Sequence, residues 1–113
     1  MKSKRSGQRI LKNDYSGLKT GDSNVLSQYL MGSPETKIIG IIGTVIHNNK
    51  SEQCVNLLKK IATGSDFANY GGVVSEYAIA ALDILGIEKY RGTNKRIIET
   101  IKYRFEDVKN AIC

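Results

Sequence analysis

A chain of 113 residues, 41% hydrophobic and 25% charged, has the make-up of one ordinary globular domain, which excludes collagen-like, wholly disordered and disulfide-scaffold classes. Cys54 and Cys113 cannot make a disulfide framework, and one histidine with no tryptophan nearly excludes the usual zinc and acid/base constellations. The net charge of +6 is uneven: residues 1–20 carry Lys2, Lys4, Arg5, Arg9, Lys12 and Lys19 against Asp14 alone, a balance of +5, which leaves +1 for the rest.

Residues 1–20 are too polar and too rich in Ser, Gly and Asn to bury themselves, so they read as a basic flexible arm preceding a single helical domain over 21–113. The arm is suited to phosphate contacts, and serves equally as a solubilising tail. A secretory leader would need an apolar run behind the basic start, whereas the chain continues Lys12-Asn13-Asp14. The apolar stretches 38–46 and 73–87 fall short of the roughly 18 residues that span a bilayer. A cytoplasmic protein without a membrane partner is expected.

Asp22 or Ser23 caps a short helix over 24–31, with Val25, Leu26, Tyr29 and Leu30 on one face and Gly32 at its end. Ser33-Pro34-Glu35 then supplies a cap, a proline in the first helical position and an acid in the first turn. The helix that follows, 37–47, is apolar almost all round and predicts burial on most sides. Asn48-Asn49-Lys50 breaks it, and Ser51-Glu52 opens a helix through Thr63 with Val55, Leu58, Ile61 and Ala62 on one face and Gly64 as its C-cap. Residues 64–72 read as a loop. A second core helix covers 73–85, stopped by Gly86, and Thr93 caps a last, amphipathic helix carrying Ile97, Ile98, Ile101, Phe105, Val108 and Ile112.

An offset of 40 residues superposes the two helix pairs: Ile38, Ile41, Ile42 and Val45 fall on Ala78, Ala81, Leu82 and Leu85, while Leu57, Leu58 and Ile61 fall on Ile97, Ile98 and Ile101. Over residues 34–112 this recurrence, with the string 74–86 as the inner part of a repeat, resembles HEAT-like or armadillo-like helical repeat proteins. The resemblance implies an all-α fold, a small right-handed α-α repeat of about five helices. An irregular five-helix bundle predicts nearly the same pattern and stays open beside it.

The string 38–46, Ile-Ile-Gly-Ile-Ile-Gly-Thr-Val-Ile, also resembles the RNA-clamping segment of KH domains. That role would put Ile41 and Ile42 into water, so the preferred reading makes Gly40 and Gly43 small positions that let buried helices approach. His47, Cys54 and Cys113 lack metal-ligand spacing, and His47 suits the C-terminal end of a helix better than a triad. Neither catalysis nor any cofactor, metal or small-molecule substrate is expected.

Lys95, Glu99, Lys102, Glu106 and Lys109 follow one another at steps of four and three, a ladder of intrahelical ion pairs near neutrality. Lys89, Arg91, Lys95 and Arg96 remain as a positive cluster at the helix start, where they oppose the helix dipole. With Tyr90, and with Phe67 and Tyr70 of the loop, they are the candidate partner-binding residues. The two loop aromatics either make contact with a partner or fold back to seal the junction between helix pairs. The expected function is a non-enzymatic protein-binding module, one concrete form being an inhibitor of immunity or antitoxin type that blocks another protein. The alternative is a binder of nucleic-acid phosphates through the arm and the 89–96 cluster.

Overall fold

The computed structural model describes residues 21–64, 67–68 and 72–112, so the basic segment 1–20 and Tyr70 lie outside the described residues. Asp22 opens α1 (Ser23–Leu30): its Oδ1 accepts the N–H groups of Asn24 at 2.7 Å and Val25 at 3.4 Å. These are donors that a helix start leaves without intrahelical partners. Leu26 and Leu30 bury the inner face of α1.

Ser33 caps α2 (Pro34–Ile46) as the sequence predicts, its Oγ accepting the Thr36 N–H at 3.4 Å, with Pro34 and Glu35 in the first turn. Residues 39–44 are all buried. Thr44 satisfies its hydroxyl inside the helix by donating to the Gly40 carbonyl at 2.7 Å. A Cβ built on Gly40 would stand 2.9 Å from the Tyr29 Cβ and 3.0 Å from the Leu30 nitrogen. Glycine at this position therefore sets how closely α1 and α2 approach. Ile41 is fully buried within this helix, which removes the KH-type loop.

After His47 and a left-handed Asn48 (φ 50°), Ser51 caps α3 (Glu52–Ala62), whose stripe Cys54, Val55, Leu58 and Ile61 is buried. The C-cap is Thr63 at φ −97°, not Gly64. The last turn closes with the Thr63 Oγ1 donating to the Lys60 carbonyl at 2.9 Å, so no left-handed glycine is needed there. The expected loop contains two short strands, β1 (Phe67–Ala68) and β2 (Gly72–Val73), antiparallel with Phe67 opposite Val73 and Ala68 opposite Gly72. Such a ladder pairs backbone groups that the segment would otherwise leave to water.

From Val73 the chain enters α4 (Val74–Ile84), which buries Val74, Tyr77, Ala78, Ala80, Ala81 and Leu82. It ends in a Schellman turn: Gly86 (φ 77°) donates to the Asp83 carbonyl at 3.0 Å and Ile87 to that of Leu82 at 2.9 Å. The last helix, α5 (Lys95–Ile112), begins one residue later than Thr93 as cap would require, for the Asn94 carbonyl accepts the Ile98 N–H at 3.2 Å. Ile98, Ile101 and Phe105 are buried, but Ile97 is 42% exposed and does not belong to the packed face. At about 100° per residue it stands roughly 60° off the centre of the arc shared by Ile98, Ile101, Phe105 and Val108.

Among the described residues the chain is thus all-helical apart from the two-residue strands. α4 is the central element, packed against α2, α3 and α5, while α1 covers α2 and α3 and α5 also reaches α2. Tyr77 and Phe105 meet edge to face, ring centroids 6.1 Å apart, at the α4–α5 seam.

Candidate interaction surface on the last helix

The cluster around the start of α5 is built on the turn that follows α4. Asp83, near the end of α4, accepts the Tyr90 N–H on Oδ2 at 2.9 Å, and the Tyr90 hydroxyl accepts the Asn94 N–H at 2.8 Å. The half-buried ring lies against Gly92, so Tyr90 organises the turn from inside it. Lys89, Arg91, Lys95 and Arg96, on either side of it in the sequence, are all exposed and without an ion pair among the described residues. Lys89, Tyr90 and Arg91 line a depression of about 200 Å³ with Ile79, Leu82 and Glu88. Of the loop aromatics, Phe67 is described through its backbone in β1 alone, and Tyr70 lies outside the described residues.

The expected ion-pair ladder is mostly absent among the described residues. Within the stripe Lys95, Glu99, Lys102, Glu106 and Lys109, the contact made is Lys102 to Glu99 at 3.4 Å. Lys102 also reaches Asp83 at 3.3 Å, which ties α5 to α4. Interhelical attraction to a half-buried carboxylate competes with exposed intrahelical pairs worth only a few tenths of a kcal/mol each, about 0.2–0.5.

The other outward stripe of α5 is different in character. At 100° per residue, Tyr103, Arg96, Thr100, Arg104 and Ile97 fall within an arc of about 120°. Tyr103 is 73% exposed and Ile97 42%, two of the few large apolar side chains left in solvent among the described residues. Beside them runs a groove between α4 and α5, with a volume of about 310 Å³, lined by Glu76, Tyr77, Arg96, Ile97, Thr100, Ile101 and Arg104. Arg104 is anchored there, its Nη1 donating to the Tyr77 hydroxyl at 2.7 Å. Arg96 and Glu76 form no ion pair among the described residues.

Sequence reading nominates Arg96 but misses Ile97, Thr100, Tyr103 and Arg104. The available signal was spacing, since Arg96 and Tyr103 are seven residues apart and Thr100 and Arg104 follow Arg96 at steps of four, off the buried arc. Among the described residues no group of three or more His, Cys, Asp and Glu could hold a metal ion. No helix is long and apolar enough to cross a membrane, again among the described residues.

Comparisons with known protein families, with characterised proteins and with solved structures found no match to this chain.

Proposed function

We propose that this chain is a non-enzymatic protein-binding module that meets its partner with the outward stripe of α5. The observation that carries the reading is the grouping of exposed Tyr103 and Ile97 with Arg96 and Arg104 on one rigid helix face beside a groove. Tyrosine and arginine are the residue types that dominate binding energy at protein interfaces, and a helix packed on α4 presents them at little entropic cost. An inhibitor of immunity or antitoxin type, which covers a surface of another protein, is the concrete form we favour.

For the architecture we infer the irregular five-helix bundle rather than a stack of two HEAT-like pairs. A helix-pair repeat would set α2 against α3, whereas α3 packs chiefly on α4 and α1. In favour of the stack is the register, since Leu58 and Ile98, like Ile61 and Ile101, are buried at equivalent positions.

The four exposed cations Lys89, Arg91, Lys95 and Arg96 favour a second reading, contact with nucleic-acid phosphates. One experiment separates the two. The full chain and a Tyr103→Ala/Ile97→Ser variant are used to capture material from the native source, and both are run on heparin over a salt gradient. A stoichiometric protein retained by the wild type and lost by the variant supports the protein-binding reading. Steeply salt-dependent heparin retention that the variant keeps and Lys89→Ala/Arg91→Ala loses would replace it with the second.

A further inference from the structure

We propose that the groove between α4 and α5 receives an acidic peptide segment, with one carboxylate at Arg96, another at Arg104 and an aliphatic side chain between them. The proposal rests on the protein-binding reading and specifies its partner. Arg96 and Arg104 are eight residues apart on one helix, a separation of about 12 Å along the axis, with Thr100 midway. That span matches carboxylates two helical turns apart on a partner, or four residues apart on an extended one.

The two cations are prepared differently. Arg104 is held by the Tyr77 hydroxyl at 2.7 Å, which fixes the guanidinium before any ligand arrives. Arg96 is exposed and has no acidic partner among the described residues. Ile101 floors the groove and Ile97, 42% exposed, forms a lip, so an aliphatic side chain entering between the arginines removes apolar surface from water.

Charge selects among occupants. Residues 1–20, with six cations and a single acid, carry the same sign as the groove and are not suited to fill it. A phosphate backbone carries a charge at every nucleotide and so would also set phosphates against the Glu76 carboxylate in the groove lining. An acidic segment carries charge only at its acidic side chains, so it can pair both arginines while setting neutral residues against Glu76.

The test uses the intact chain and a fluorescently labelled, acetylated 15-residue alanine-rich helical peptide carrying Glu, Leu and Glu at successive steps of four. A control peptide has Gln in place of both Glu. Anisotropy titrations should show the Glu peptide binding at least about tenfold tighter than the Gln peptide. Arg96→Ala and Arg104→Ala should each weaken it by about tenfold, the scale of an interface hot spot. A control that removes one cation more than either test variant, Lys95→Ala/Lys109→Ala, both outside the groove, should change affinity less than about threefold. The exposed Arg96 side chain makes no ion pair among the described residues, so Arg96→Ala decides the matter if Arg104→Ala fails to fold.

Equal affinity for the two peptides, absence of binding, or equal damage from the lysine control overturns the proposal. Displacement of the peptide by a 12-nucleotide single strand at comparable concentration overturns it in favour of phosphate, and arginine-dependent self-association overturns it in favour of a second copy. If the peptide result is negative while a partner is still captured in a Tyr103-dependent way, the groove proposal fails alone. Loss of both removes the protein-binding reading as well.

Discussion

The Tyr90 hydroxyl accepts the backbone N–H of Asn94 at 2.8 Å, so a side chain four residues upstream supplies the acceptor just ahead of α5. The same residue's backbone N–H is bound by Asp83 at 2.9 Å. Tyr90 thereby links the end of α4 to the start of α5 and fixes where the cations on either side of it stand.

Removing that hydroxyl should cost little but should be specific. Asn94 is exposed, so water replaces part of the lost bond, and Tyr90→Phe is expected to destabilise by about 0.5–1.5 kcal/mol. A Cβ on Gly92 would collide with the Tyr90 hydroxyl, so Gly92→Ala should displace the same ring and lose the same bond. Urea titrations of the two single variants and the double variant should then show clear non-additivity, the double costing little more than the worse single. Additive losses would mean that the hydroxyl and Gly92 act independently.

Three glycines should respond to alanine in different ways. In Gly40→Ala the new methyl meets the Tyr29 Cβ at 2.9 Å and the Leu30 backbone nitrogen at 3.0 Å, so α1 must shift, at about 1–3 kcal/mol. Gly86 has open space around it but sits at φ 77°, so Gly86→Ala carries backbone strain alone, about 1–2 kcal/mol. Gly64 meets nothing closer than the Ile61 carbonyl at 3.4 Å, and Gly64→Ala should be neutral or stabilising by up to about 1 kcal/mol. Denaturation midpoints rank the three.

The starts of α2 and α3 are legible in the sequence because Ser33-Pro34-Glu35 and Ser51-Glu52 act locally, each through its own cap. The central place of α4 is legible because its small and apolar residues leave too few polar positions for an exposed face: Ala78, Ala80 and Ala81 are all fully buried. What spacing cannot decide is which of two adjacent isoleucines, Ile97 and Ile98, a tertiary neighbour will cover; packing on α4 takes Ile98. Lys102 turning to Asp83 rather than completing the ladder depends in the same way on a contact between helices. The outward stripe of α5 was missed for this reason, since it becomes visible only once the buried arc of α5 is known.

Asp83 should prove more important than its single ion pair suggests, because it also accepts the Tyr90 N–H. Asp83→Asn keeps an acceptor for that N–H and loses the pair with Lys102, for about 0.2–1 kcal/mol. Asp83→Ala leaves the half-buried N–H without its partner and should cost about 1–3 kcal/mol. Lys102→Met, which retains an apolar stem, should match the smaller figure, and combining it with Asp83→Asn should add almost nothing. Chemical denaturation of the four variants checks the order; equal losses for Asn and Ala at position 83 would show that the hydrogen bond to Tyr90 contributes nothing.

Asn49 should be the least replaceable polar residue of the other end of the bundle. Its Nδ2 donates to the Gly21 carbonyl at 2.9 Å and to the Ser23 Oγ at 3.0 Å, while its Oδ1 accepts the Ser51 N–H at 3.0 Å. One amide thus joins the entry to α1 with the entry to α3, using donors and acceptor together. Asn49→Asp preserves shape and the Ser51 bond but turns the donor into an anionic oxygen facing the Gly21 carbonyl, where repulsion replaces attraction. Its expected cost is about 1–3 kcal/mol at neutral pH. Asn49→Ala, which removes both roles but lets water reach a half-buried site, should cost no more than the aspartate. Thermal melts near neutral pH check the comparison, and an aspartate variant as stable as the wild type would show that the donor side of Asn49 does not hold the two helix starts together.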